Sequence, residues 1–124
     1  MSTIVYDAGA LIAAEGGAER MWAIHKRALA RGIEPVVPAT VLAEVWRGGR
    51  GQHRLGQLVQ SCDVEGFSEE TAKAAGVLLS AAPHGVVDAS VVECALRRAS
   101  PCVTGNRRHL LDLAGARRLA IIDI

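Results

Sequence analysis

The stretch PCVTGNRRHLL (residues 101–111) decides how this chain folds. Cys102 to Thr104 is a short apolar run of the kind that fills a strand buried on both faces. Gly105 and Asn106 make a turn, and Arg108 to Leu113 reads as a helix that stops near Gly115. A buried strand opening directly into a helix is one half of a strand–helix–strand unit. Outward in both directions the alternation continues. Val86 to Arg98 is helical, with Glu93 and Arg97 four residues apart on one face. Leu119 to Ile124 (LAIIDI) is a closing strand.

The first two thirds of the chain repeat the pattern. Thr3 to Tyr6 (TIVY) reads as a strand, and Asp7 to Leu11 begins a helical stretch. Ala18 to Arg31 carries Met21, Ile24, Ala28 and Leu29 at helical spacing and ends at Gly32. Glu34 to Val37 is a second strand closed by Pro38, and Thr40 to Arg47 is a short helix. Gly48 to Gly56 (GGRGQHRLG) reads as a loop or a helix start, and Val64 to Phe67 as another strand. Ser68 begins a helix with Glu69 and Glu70 at its positive end, running to about Ala82 before Pro83. The expected architecture is a single α/β domain over residues 1–124, with a central parallel sheet flanked by helices on both faces. In such sheets chemistry sits beyond the carboxyl ends of the strands, where strand order reverses. Residues just after TIVY, EPVV and CVT are therefore the candidates.

Composition narrows the possibilities. Half of the residues are hydrophobic but only 3% are aromatic, so the core is aliphatic and extended aromatic platforms for single-stranded nucleic acid are not expected. Net charge is +1, which gives no bulk attraction to polyanions. All but two of the 14 bases are Arg, several of them in pairs: Arg97-Arg98, Arg107-Arg108 and Arg117-Arg118. Arg suits bidentate phosphate contacts, though paired bases are also common at helix ends. The three cysteines (Cys62, Cys94, Cys102) lack CxxC spacing and lie in apolar company, which argues for core packing over a disulfide framework or a zinc site. No signal core and no apolar run of about 18 residues occurs, so a cytoplasmic protein without a membrane span is expected.

Three carboxylates stand where a charge is costly. Asp7 lies in IVYDAGALI, Glu44 in TVLAEVW and Asp88 in GVVDASVV. Asp7 and Asp88 serve equally as helix caps, and Glu44 pairs with Arg47 if it turns along its own helix. Glu44 nonetheless lies beside Val41 and Val45 in angular position, so it is expected to stay near the apolar stripe. Taken together, three isolated acids at the sheet mouth form a cluster that repels itself unless a divalent cation is present. Oxygen-only ligands suit Mg²⁺ or Mn²⁺, and such a metal activates water at a phosphodiester. No GxGxxG, GxxxxGK[ST] or GxSxG motif is present, and the four His residues show no ligand spacing. A surface position is expected for His109.

Four pieces in order, IVYDAGALIA, PATVLAEVWRG, VVDASVVECA and CVTGNRRHL, resemble the PIN-domain ribonucleases, most closely the VapC-type toxins of toxin–antitoxin pairs. Together they span nearly the whole chain. The resemblance implies a PIN-like fold, a Mg²⁺- or Mn²⁺-dependent endoribonuclease acting on RNA, and a homodimer silenced by a cognate antitoxin. Carried over by position, it implies Asp7, Glu44 and Asp88 as catalytic and metal-binding acids. The family's frequent fourth acid falls on Asn106, which is counted with the catalytic residues: its amide brings no charge, but its oxygen can still ligate a hard cation or hold a metal-bound water. Asp112 supplies the missing charge only if its helix turns it inward. Three acids instead of four imply one well-held metal, with any second bound weakly. Thr104 matches the family's small hydroxyl residue and would orient a carboxylate or a water. Arg47, Arg50, Arg54, Arg107 and Arg108 flank the mouth and are candidates for contacts to the RNA backbone. The competing reading, favoured by Asn106, is a non-catalytic PIN-like module that binds RNA or a protein partner. A receiver-like domain is disfavoured, because residue 8 is Ala and the only lysines are Lys26 and Lys73.

Overall fold

A computed structural model describes residues 2–124 and contains five strands and seven helices over those residues. In chain order they are β1 (Thr3–Tyr6), α1 (Ala8–Glu15), α2 (Glu19–Ala30), β2 (Glu34–Pro38), α3 (Ala39–Val45), α4 (His53–Gln60), β3 (Asp63–Glu65), α5 (Glu69–Ala81), α6 (Val86–Arg98), β4 (Cys102–Thr104), α7 (Arg107–Ala114) and β5 (Ile121–Asp123). The strands form one sheet in the order β3-β2-β1-β4-β5, with every pairing parallel.

That order follows from the connections. β1, β2 and β3 step outward in one direction, and the α5–α6 crossover then carries the chain back to the other side of β1. Helix α6 packs across β1, β2 and β4, with α5 and α7 beside it, while α1, α2 and α4 pack near β1, β2, β3 and β4 from the other face. Right-handed crossovers require this division of helices between the faces. The direction of strand progression reverses between β1 and β4, so their carboxyl ends enclose the crevice where such sheets bind ligands.

The core is aliphatic, as the composition demands. Val5, Leu11, Met21, Val36, Val37, Leu55, Leu58, Val91, Val92 and Leu110 are fully buried. Tyr6 is buried among them; its hydroxyl bonds His25 Nδ1 at 2.8 Å, and His25 Nε2 meets Ser61 Oγ at 2.7 Å, so the buried polar groups are satisfied through a chain that reaches the surface at Ser61. Cys94 and Cys102 are buried and Cys62 is half-buried; burial pushes Cys62 and Cys94 up to about 12, which leaves them inert.

Several boundaries differ from the sequence expectations. The GGRGQHRLG segment yields a full helix from His53, because Leu55 and Leu58 bury one turn of it against the core. Helix α3 stops at Val45, since Trp46 is extended and the next two N–H groups, of Arg47 and Gly48, donate to Gln52 Oε1 at 2.8 and 3.0 Å. Strand β3 starts one residue earlier than expected and ends two earlier, at Glu65, at the sheet edge, where Val64 is exposed. The start of α5 is fixed by a reciprocal capping box between Ser68 and Thr71 as well as by its acids. Helix α6 ends on Ala99 in the left-handed region, φ 51°, a conformation that normally favours glycine.

Candidate active site

Asp7 leaves β1 and caps α1. It is only 4% exposed, its Oδ1 accepts from the Ala10 N–H at 2.9 Å, and its Oδ2 accepts from the Thr104 hydroxyl. Thr104 is fully buried at the end of β4 and its Oγ1 accepts from the Asn106 N–H at 2.8 Å. The Asn106 amide proton, the Thr104 hydroxyl and the Asp7 carboxylate thus form one chain of hydrogen bonds across the β1–β4 crevice. Gly9 permits the close approach: a Cβ there would stand 3.3 Å from both Asp7 Oδ1 and the Gly105 nitrogen.

Among the described residues no base pairs with Asp7. Burial pushes its carboxyl above the ordinary range; the Thr104 and Ala10 hydrogen bonds pull against that, and the charge of Asp88 adds to it. Asp88 lies in the first turn of α6, half-buried, with its Oδ2 3.6 Å from His109 Nδ1. Two acids carried by elements on opposite faces of the sheet therefore share the mouth, and the charge of Asp88 acts on Asp7.

Glu44 occupies a different position. It is exposed on α3, contrary to the expectation that it stays beside the apolar stripe. Val41 and Val45 take the buried side of this short helix, and Glu44 falls on the flank that opens to water. One turn earlier on the same flank, Thr40 Oγ1 meets Ser90 Oγ of α6 at 2.5 Å, so that flank borders the helix carrying Asp88. Among the described residues no group of three or more His, Cys, Asp or Glu is gathered closely enough to hold a metal ion.

The bases are only partly arrayed at the mouth. Arg107 Nη1 pairs with Asp123 Oδ2 at 2.8 Å, at the end of β5, while Arg108 is exposed and makes no ion pair among the described residues. Arg47 turns back on its own helix end, bonding the Ala43 and Trp46 carbonyls at 3.3 and 2.8 Å, and so does not pair with Glu44. Arg50 is exposed in the glycine-rich loop, and Arg54 packs its guanidinium over the Gly17 turn between α1 and α2.

Asn106 is the N-cap of α7, yet its side chain makes no cap bond to the backbone. Its amide nitrogen instead meets His109 Nδ1 at 2.6 Å. His109 stacks on His84, with ring centroids 4.3 Å apart and planes at 27°, and His84 Nε2 meets Asp112 Oδ2 at 3.1 Å. Asp112 is thereby turned outward to His84. Sequence reasoning missed this column of side chains. One signal was legible: His109 stands three residues after an N-cap Asn, the spacing at which cap and third-residue side chains meet.

The PIN-domain family profile matches residues 4–116, and the chain belongs to the PIN-domain family. PIN domains are typically nucleases, hydrolases of nucleic acid. Several solved structures share the fold over nearly the whole chain. A chain of VapBC2 from Rickettsia felis, bound to a DNA fragment from its promoter, has a TM-score of 0.74 at 14% identity, covering 98% of each chain. A toxin–antitoxin complex from Klebsiella pneumoniae gives 0.70 at 18% identity over 96% of this chain and 95% of that one. DNA-bound VapBC from Salmonella typhimurium gives 0.69 at 18% identity, covering 99% and 98%. No curated protein matches the sequence.

Proposed function

We propose that this chain is a metal-dependent endoribonuclease of the VapC type, the toxin of a toxin–antitoxin pair. The observation that carries the reading is Asp7: a buried carboxylate at the strand-order reversal, raised by burial and by Asp88, with neutral hydrogen-bond partners and no base. A site of that kind is relieved by a cation, and its all-oxygen donors fit Mg²⁺ or Mn²⁺ better than zinc. Asp7 and Asp88 would hold the ion, with Glu44 contributing from the α3 flank. Bound there, the metal would supply an activated water and neutralise charge at the leaving oxygen of an RNA phosphodiester.

The protein's own part is positioning. Thr104 holds Asp7 Oδ2 and fixes the carboxylate against rotation, and the Asn106 N–H holds Thr104 in turn. Arg108 and Arg50 are free to meet phosphates; Arg107 and Arg47 first release weak surface contacts. The solved complexes sharing the fold support an antitoxin protein as the partner, and a homodimer is proposed with it. A reduced cytoplasmic setting suits the three free cysteines.

The test is cleavage of labelled RNA with Mg²⁺ or Mn²⁺ by wild type and Asp7→Asn. Metal-dependent cutting by the wild type alone supports the reading, and equal products from both proteins overturn it. A second reading, a PIN-like binding module without catalysis, is favoured by one observation. The Asn106 amide is committed to His109 and brings no charge to the acids. RNA or antitoxin binding with no cleavage in either metal would establish that alternative.

A further inference from the structure

We infer that the His109–His84 stack is a base-binding platform: the outer face of His109 stacks on a base of the RNA strand next to the bond that is cut. This rests on the nuclease reading above and names how that site holds its substrate.

The geometry carries it. The chain has few aromatic rings. Tyr6 is in the core and Trp22 packs edge-on against His25, while the exposed Trp46 lies beside Leu42 and Val59 and the exposed Phe67 follows the edge strand β3. His109 is the ring in contact with a mouth acid, 3.6 Å from Asp88 Oδ2. Its orientation is fixed from two sides. One face lies on His84, and its Nδ1 edge faces the Asn106 amide at 2.6 Å. As placed, that amide donates to Nδ1, which leaves the ring proton on Nε2. If Nδ1 is protonated instead, the turned amide accepts from it, and the ring stays where it is. His84 is anchored in turn by Asp112.

The exposures are unequal in a telling way. The His84 side chain is 15% exposed and that of His109 45%, so the inner ring is covered and the outer ring remains open on the sides that neither His84 nor Asn106 occupies. A ring already immobilised loses little freedom when a flat group settles on it. Bases of single-stranded RNA stack on aromatic side chains, His included, with little dependence on base identity. A base lying on His109 extends the column to three rings beside Asp88. The solvent-exposed Arg108, one residue before His109, lies on the same turn for a neighbouring phosphate.

The experiment first maps the cut made by wild-type protein in a short RNA. Binding is then measured with Asp7→Asn protein and the same RNA carrying 2-aminopurine at each nucleotide flanking the cut. The expectation is quenching at one flanking position. His109→Ala in that background should weaken binding about tenfold or more and abolish the quench, and His109→Phe should restore both. A parallel measurement changes the RNA instead: in the Asp7→Asn background an abasic nucleotide at that position should weaken binding by a similar factor, and adding His109→Ala should bring no further loss with that RNA. The inference is overturned if His109→Ala binds and quenches like its parent, or if His109→Phe behaves as His109→Ala does. It is also overturned if the abasic RNA binds as well as the intact one. Failure of the nuclease reading looks different, because the wild type then makes no cut to map.

Discussion

Two clusters of acids lie on this molecule, and they are built in opposite ways. Where β3 meets the end of α6, Glu65 receives Arg98 at 2.7 Å and Arg97 at 2.5 Å, and Arg97 also pairs with Glu93 at 2.8 Å. Burial pushes the Glu65 carboxyl up, but the hydrogen bonds from Arg97 and Arg98 outweigh it and hold it below the ordinary range. At the mouth between β1 and β4, Asp7 is more deeply buried, pairs with no base among the described residues and is pushed the other way. Acids satisfied by arginine support the fold. A buried acid left without a base costs stability and persists where something else is meant to supply the charge.

The largest expected effect breaks the mouth. Asp7→Asn removes the charge, keeping one acceptor oxygen for the Ala10 N–H and turning an NH2 donor toward Thr104, so RNA cleavage should fall about a thousandfold or more. The same change should raise the melting temperature in metal-free buffer at pH 7. A carboxyl raised by folding contributes stability that is complete below its unfolded value and lost as pH rises through its folded value, so the wild type carries a penalty at neutral pH. The gain from Asp7→Asn should therefore vanish in strongly acidic buffer. Added Mn²⁺ should raise the melting temperature of the wild type only. A melting temperature unchanged by Asp7→Asn at pH 7 would contradict the reading of Asp7 as an uncompensated charge.

Glu65→Gln tests the other cluster. It should destabilise the protein by about 1–2 kcal/mol, since two arginines lose a charged partner in a partly exposed setting. RNA cleavage per folded molecule should be unchanged. The pH sign is opposite to that at Asp7: a depressed carboxyl gives stability present above its unfolded value and lost as pH falls through its folded value. Urea melts of wild type and Glu65→Gln should converge in acid, and a gap that persists there would show that packing, not charge, is at stake.

Smaller effects refine the contrast. Arg108→Ala should reduce the salt slope of RNA binding by roughly 0.7, the value for one phosphate contact on a single strand, while Arg107→Ala should reduce it less because Asp123 competes for that guanidinium. Equal slopes for the two variants would remove the role assigned to the Arg107–Asp123 pair. Ala99→Gly, one residue beyond the Arg98 that pairs with Glu65, should stabilise the fold by about 1 kcal/mol by relieving the left-handed residue that ends α6, with cleavage unaffected.

Much of the fold was legible in the sequence because short apolar runs and helix stops are local signals. TIVY, EPVV and CVT are strands where the pattern places them, and the strand-end acid Asp7 stands at the reversal point that an alternating pattern implies. Helix α4 was obscured because glycines and polar residues dominate its segment, and only Leu55 and Leu58 mark its buried side. Glu44 was misplaced for a similar reason. Angular position on a seven-residue helix says which residues are neighbours, but not whether the flank between them faces the core or the water.

The amide at Asn106 shows where the sequence stops. By itself the sequence determined that a neutral side chain stands between a buried strand and a helix, after three isolated acids in chain order. The tertiary structure alone decided what that amide does. Its backbone N–H supports Thr104 and through it Asp7, while its side chain fixes His109 on His84. His84 comes from the loop before α6 and His109 from α7, and their stacking depends on the packing of those helices on one face of the sheet. Local propensity and periodicity set the elements, whereas contacts between residues distant in sequence exist only once the sheet has closed.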